Sequence, residues 1–308
     1  MSTPPVTDFN PPTTPLTPVS LSTDFKAGDF VDNLNLFQVV QLIGQGKYGK
    51  VYKCNDLLTK KEVAVKVETK AKSLRQEHKI YMKIRYTDSN DAVPTYEGFN
   101  DNRIPFFMVL SLEGKCFAQI AEESPEFIVP EKQILALAYH GLKAFKMIHK
   151  LRIVHRDVRM QNICLSRTEG KYKVLLLDFG LSVTSNLDKK TKIRHYRSQG
   201  TKKFFRASYA SVRVEEKNPI YELDDIISFA HMLLDMRLGW DDLDKPEIKK
   251  QLMADPEEML KPGEQFMAPF LKMLYAQPYN GDLPDHEGMM RLISETPGFD
   301  IDAYDLKH

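Results

Sequence analysis

The stretch IVHRDVRMQN, residues 153–162, places Asp157, Arg159 and Asn162 on one short segment. An aspartate and an asparagine so close can take up a proton, bind a metal or cap a helix. Asp157 has the right chemistry to accept a proton from an attacking hydroxyl. Asn162 offers a neutral oxygen of the kind magnesium accepts. Further on, Asp178 ends the apolar run VLLLDFG, where a carboxylate is costly unless it is paired or metal-bound. Lys66 sits in VAVKV among apolar neighbours and needs an anion or a route to water. Phosphates are one such anion, and Glu77 is another. Gly44, Gly46 and Gly49, in IGQGKYGKV, let a backbone approach phosphate oxygens closely, although an ordinary glycine-rich hairpin has the same look. Phosphate handling with a hard cation is the chemistry these groups share.

The elements around them are legible from pattern. FQVVQLIG and KVYKC are apolar, β-branched runs on either side of the glycines, a strand–turn–strand signal. A strand, not a helix, follows the glycine turn, which argues against a dinucleotide-binding fingerprint. EVAVKVE alternates as a two-faced strand, and SLRQEHKIYMKI has helical spacing of Leu74, Ile80, Met82 and Ile84. IPFFMVLSLEG is a further strand. After Gly114 helices take over: PEKQILALAYHGLKAFKMIHK carries a wide apolar stripe just after Pro130, and YELDDIISFAHMLLDM and EQFMAPFLKMLYA read as helices.

The chain has 308 residues, 42% of them hydrophobic, which suffices for a large two-lobed core. With 43 basic and 42 acidic residues the formal net charge is +1, so charge balance gives no reason to expect nucleic acid or a membrane as partner. No apolar run approaches the roughly 20 residues that span a bilayer. The N-terminus lacks the basic and apolar regions of a secretory signal. Cys54, Cys116 and Cys164 form no CxxC pair, which argues against a zinc site or a disulfide framework and for a reducing compartment. The expected location is cytoplasmic, with the nucleus as a second. Residues 1–33 are rich in Pro, Thr and Ser and read as a disordered tail, in which Thr3, Thr14 and Thr17 each precede a proline.

GxGxxGxV, VAVK, a helical glutamate, HRDxxxxN and DFG in this order form the signature set of the protein kinase fold. The expected class is α+β: a bilobal protein kinase fold with a β-rich N-lobe (about 34–111) carrying one main helix, and a larger, mostly helical C-lobe (about 115–300). Residues 301–308 are expected to form a short C-terminal tail. The sequence resembles the casein kinase 1 superfamily, nearest to its tau-tubulin kinase-like branch, from about Phe37 to about Ile293. LRQEHKIY is similar to that family's helix C, LSLEGKCFAQI to its hinge, and YELDDIISFA to its helix with a paired aspartate. RASYASV stands where most kinases have APE, and YNGDLPDHEGMMRLI resembles the family's C-terminal Pro-Asp segment.

The resemblance implies roles. Ile43, Gly44, Gly46 and Gly49 would cover the nucleotide, and Lys66, positioned by Glu77, would hold its α- and β-phosphates. Val51 and Ala64 would roof the adenine, Leu110 would be the gatekeeper, and the backbone near Ser111 and Leu112 would bond the base. Asn162 and Asp178 would bind magnesium. Asp157 would orient the substrate hydroxyl, and Asp225 would anchor the catalytic loop. The expected activity is transfer of the γ-phosphoryl group of ATP, with Mg2+, to Ser/Thr hydroxyls of proteins; the alternative is a pseudokinase that binds without turnover. Two departures stand out. Arg159 replaces the family's lysine, keeping the charge but with a planar fork. Some tyrosine kinases carry arginine there, but Gly200-Thr201 matches serine/threonine kinases. Cys164 replaces the usual leucine at the adenine floor. Basic residues in KIRHYRSQGTKK, Lys203 among them, would favour acidic or pre-phosphorylated substrates, with a plain solvated loop as the other reading. Oligomeric state is not encoded in any of these signals.

Overall fold

Alternation in EVAVKVE builds the centre of the N-terminal lobe. A computed structural model, which describes residues 23–46, 49–87, 91–102, 104–167, 173–187, 194–196 and 209–302, makes this segment strand β3 (Glu62–Glu68), after β1 (Phe37–Gln45) and β2 (Gly49–Asp56). Val63, Val65 and Val67 are buried on one face. Period-two geometry sends Ala64 and Lys66 to the other face, toward the cleft. Helix α1 (Ala71–Arg85) follows, then β4 (Tyr96–Asn100) and β5 (Phe106–Ser111). The five strands form one antiparallel sheet in the order β1-β2-β3-β5-β4. Its register sets Lys66 opposite Val51 on one side and Met108 on the other, and Ala64 opposite Leu110. Gly49 has no alternative: a Cβ there would stand 2.1 Å from the Val67 carbonyl oxygen.

The far face of the sheet needs a cover, and residues from the expected tail supply it. The boundary at residue 33 is therefore corrected. Gly28 N donates to the Val39 carbonyl (2.9 Å), Val39 N to that of Asp29 (2.8 Å), and Val31 N to that of Phe37 (3.1 Å). The Phe25 ring meets Tyr52 edge-on at 5.6 Å, and the Tyr52 hydroxyl donates to the Thr23 carbonyl at 2.7 Å. Val31, Val39, Tyr52, Cys54, Val63, Val65, Val67, Phe107 and Val109 make one apolar cluster under this strap. Burying that surface offsets the ordering of a short segment. Residues 1–22, with Thr3, Thr14 and Thr17, lie outside the described residues.

Leu74, Glu77, Tyr81 and Ile84 recur at helical spacing and share the buried face of α1. Glu77 is thus carried into the interior by its apolar neighbours.

The second lobe holds helices α2 (Phe117–Glu123) and α3 (Glu131–Lys150), then short strands β6 (Ile153–Val154), β7 (Ile163–Leu165), β8 (Val174–Leu176), β9 (Val183–Leu187) and β10 (Arg194–Tyr196). Helices α4 (Val212–Glu215), α5 (Glu222–Leu238), α6 (Pro246–Ala254), α7 (Pro256–Met259), α8 (Ala268–Tyr275) and α9 (His286–Ser294) complete it. Helices α3 and α5 cross closely because residue 141 is glycine: a Cβ would lie 2.2 Å from the Phe229 ring. Strands β7 and β8 pair beneath the cleft, and β9 lies between β6 and β10. The core runs on through Phe299, and Ile301, assigned to the C-terminal tail by sequence, still packs against it. No helix among the described residues is long and apolar enough to cross a membrane.

Candidate active site

Strand β3 and helix α1 bring Lys66 and Glu77 together across the interior. The ammonium donates to Glu77 at 2.6 Å and to Asp178 at 2.8 Å. A third carboxylate, Glu68, is 3.9 Å away. Burial opposes the charge on Lys66, but Glu77 and Asp178 outweigh it and push the pKa above the usual lysine range. Burial dominates at Glu77, where the attraction of Lys66 is insufficient, and the carboxyl is pushed up to about 7. Burial also raises Glu68, which takes a bond from Ser73 on one oxygen and has no hydrogen-bond partner on the other. At Asp178 burial is outweighed by Lys66 and the Gly180 N–H, and the acid is held below the usual carboxylate range. Sequence reasoning missed Glu68, because a glutamate ending a strand looks solvated.

Asp178 stands at φ +61° two residues after β8, and its carboxylate accepts from Lys66 and from the Gly180 N–H at 3.3 Å. Next to it Phe179 is fully buried, with its ring against Tyr81 (5.4 Å) and His155 (4.9 Å). Its backbone N–H donates to Glu77 at 3.2 Å. The DFG segment and α1 are therefore locked to one another by a hydrogen bond, by ring packing and by their shared ion pairs to Lys66.

Asp225, at the start of α5, holds the loop that carries Asp157. It accepts from the backbone N–H groups of His155 (2.6 Å) and Arg156 (2.9 Å), and His149 contacts it at 3.1 Å. Arg156 needs this: it is buried at φ +72°, a strained conformation for a side chain of that size. The second nitrogen of His149 faces His286 at 2.9 Å. Neither histidine carried a sequence signal, since their meeting depends on how α3 and α9 pack.

Asn162 donates from its amide nitrogen to the carboxylate (2.8 Å) and carbonyl (2.9 Å) of Asp157. Arg159 Nε lies 3.5 Å from the same carboxylate, an ion pair without a hydrogen bond. Burial pushes the Asp157 pKa up, against the pull of Arg159 and His155. A base whose pKa is raised toward the working pH suits proton acceptance.

The other sequence-predicted positions gather above and behind these groups. Val51, Ala64 and Leu110 line one region of the sheet through the register given above, and Cys164 is buried on β7. Ile43 and Gly46 are exposed at the edge of the cleft, and a Cβ on Gly46 would meet nothing within 4 Å. Ser111 ends β5, and its N–H is bonded to the Thr95 carbonyl at 2.9 Å. That N–H is taken, which leaves the Ser111 carbonyl and the chain after it as the backbone groups open to a bound base. Gly200, Thr201, Lys202 and Lys203 lie outside the described residues, as do Lys192 and Arg197.

The residues present fit a nucleotide with magnesium. Four carboxylates (Glu68, Glu77, Asp178 and Asp157) face two cations (Lys66 and Arg159), so the cluster is short of positive charge. Two oxygen donors, from Asp178 and Asn162, match a cation that keeps water and phosphate as its remaining ligands.

Comparison with known proteins agrees with this geometry. The protein kinase domain family matches residues 37–277. A Caenorhabditis elegans protein classed as a casein kinase I is 29% identical over 248 residues, covering 76% of this chain and 70% of its own. Another from that organism, classed as a serine/threonine-protein kinase, is 27% identical over 274 residues, covering 84% of this chain and 77% of its own. A Dictyostelium discoideum protein of the same class is 25% identical over 284 residues, and the chain spans 55% of its length. Among solved structures, vaccinia related kinase 3 superposes with a TM-score of 0.71 at 17% identity, over 88% of this chain and 90% of that one, a likeness of fold. The chain belongs to the protein kinase family, and it is a kinase of the serine/threonine type. The casein kinase 1 resemblance read from its motifs stands with these relatives.

Proposed function

We propose that the chain transfers the γ-phosphoryl group of ATP to serine and threonine hydroxyls of proteins, as a member of the tau-tubulin kinase-like branch. The carrying observation is the assembled set of Lys66 bonded to Glu77 and Asp178, with Phe179 packed behind it. Lys66 binds the α- and β-phosphates, and Glu77 keeps its ammonium aimed into the cleft. Asp178 and Asn162 would hold magnesium, which would supply charge compensation on the phosphates. Asp157 orients the acceptor hydroxyl and takes its proton, while Asn162 and Arg159 fix the carboxylate. Arg159 then presents its remaining N–H groups to the transferred group. Positioning and electrostatic stabilisation supply most of the rate. Acidic or pre-phosphorylated protein segments are the preferred substrates, a reading that rests on the basic composition of residues 192–203. Three free cysteines fit a reducing compartment, the cytoplasm with the nucleus as a second site.

One observation favours a second reading. Arg159 is turned onto Asp157, and a fork that stays there would shield the base and leave a binding protein without turnover. Labelled Mg-ATP, casein and phosphoamino-acid analysis separate the two. Wild type yields phosphoserine or phosphothreonine, and Asp157→Asn lowers the rate roughly 10²–10⁴-fold. Transfer by Arg159→Lys alone would favour the binding protein, and phosphotyrosine would refute the acceptor class.

A further inference from the structure

Two of the three free cysteines, read from sequence as unpaired, are cross-strand neighbours. Cys116, just before α2, and Cys164, in the middle of β7, face each other in an antiparallel bridge. The flanking residues exchange the hydrogen bond: Leu165 N donates to the Lys115 carbonyl at 3.0 Å. Cys116 N is directed elsewhere, to the Gln119 side chain at 2.9 Å. The cysteines therefore form a non-hydrogen-bonded pair. In such a pair the two side chains leave the same face, with Cα atoms about 4.5 Å apart. That spacing lies within the roughly 4.4–6.8 Å that a disulfide spans. Both are free thiols, Cys164 buried and Cys116 half-buried. A cavity of about 400 Å³ is lined by Glu113, Gly114, Lys115, Gln119 and Arg167, residues that flank Cys116 and Cys164 in the chain.

We propose that Cys116 and Cys164 are an oxidative modification site, closed to an intramolecular disulfide by hydrogen peroxide or a related hydroperoxide, and that closure restricts the nucleotide cleft. Cys116, the more accessible, reacts first. Its thiolate attacks one peroxide oxygen, an S–O bond forms, the O–O bond breaks, and hydroxide leaves to become water. The Cys164 sulfur then attacks the Cys116 sulfur, the S–S bond forms, and the S–O bond breaks to release a second water. Two thiols and one peroxide give one disulfide and two waters: both sulfurs are oxidised and both peroxide oxygens reduced. Burial pushes the Cys164 thiol well above its ordinary pKa, which makes this second step the slower one. Dithiol reductants reverse the reaction, as suits a transient bond in a reducing compartment.

The consequence follows from where the two residues sit. Cys164 belongs to the floor strand β7, and Cys116 ends the connection from β5 that follows Ser111 and Leu112. A covalent tie between them fixes that connection to the floor and fills the space above Cys164 with sulfur. This last point rests on the nucleotide role proposed above, whereas the cross-link itself does not.

The test uses the full chain, treated with hydrogen peroxide, then quenched, unfolded and alkylated. The thiol titre falls from three to one, and peptide mapping joins Cys116 to Cys164, with Cys54 still reduced. Cys116→Ser keeps both of its remaining thiols under the same treatment. A fluorescent ATP analogue binds the oxidised wild type more weakly and recovers with dithiothreitol, while Cys116→Ser is insensitive. A titre that stays at three, a sulfinic acid on Cys116 with Cys164 still free, a disulfide involving Cys54, or a disulfide between chains would each overturn the site. Unchanged analogue binding by the oxidised chain would overturn its effect on the cleft. Should the reduced chain bind no nucleotide, the nucleotide reading fails, and the thiol titre still decides the cross-link.

Discussion

Two buried charge clusters in this molecule keep carboxylates out of water in opposite ways. The Asp225 carboxylate has fixed partners on both oxygens: two backbone N–H groups, one histidine, and a second histidine behind the first. Around Lys66 one ammonium serves three carboxylates, and the Glu68 oxygen that faces it at 3.9 Å makes no hydrogen bond. In the first cluster the carboxylate is satisfied and acts as a brace that keeps Arg156 in its strained conformation. The second is electrically unfinished and faces the cleft, so added positive charge relieves it. A kinase fold needs both: a rigid frame for the loop that carries the base, and a site that gains from its ligand.

Lys66→Met would break the unfinished cluster and gives the largest effect. Phosphoryl transfer falls roughly 10²–10³-fold with little loss of folding, as measured by initial rates beside thermal melts. Stability that falls together with rate would show that Lys66 is part of the frame. Asp225→Ala attacks the brace instead. It removes three partners at once and lowers unfolding free energy by about 3 kcal/mol in denaturant titration.

The two clusters also differ in the sign of their pH dependence. The folded chain holds a proton on Glu77 up to about 7, whereas the ordinary value is 4.5, so stability is lost as pH rises between those values. His286 behaves in reverse: burial, then His149, lowers it from 6.5 to about 2. The unfolded chain gains a proton there that the folded chain refuses, and stability is lost as pH falls below 6.5. Melts between pH 4.5 and 8 compare wild type with Glu77→Gln and His286→Gln. Glu77→Gln removes up to about 1.4 kcal/mol per pH unit of the decline toward neutral pH, and His286→Gln weakens the decline on the acid side. Parallel curves from all three proteins would contradict the assignment of charge in both clusters.

The glycines sharpen the same contrast at the smallest scale. Gly49→Ala drives a methyl into the Val67 carbonyl and costs about 1–3 kcal/mol. Gly46→Ala meets open space and changes stability by less than about 0.5 kcal/mol. Equal losses on chemical denaturation would mean that the loop packs on more than the cleft.

Much of this was readable in the sequence, for a physical reason. Lys66, Glu77, Asp157, Asn162 and Asp178 have chemistry that tolerates few other residue types, and their spacing is set by short elements. The strap over the outer sheet was not readable: Phe25 and Val31 are two apolar residues in a Pro/Thr/Ser-rich stretch, and only the assembled sheet reveals the surface they cover. The same applies to His286 and to the facing cysteines, whose partners are far away in the chain. Pattern reports on neighbours along the backbone, and these contacts are fixed by packing between elements.

The crossing of α3 and α5 places residue 141 under the ring of Phe229. Residue 141 cannot gain a side chain unless residue 229 gives up room, so the two are coupled in one direction. A lineage that acquired alanine at 141 would first have needed a smaller side chain at 229, and that order of events is written into the distance between two helix axes.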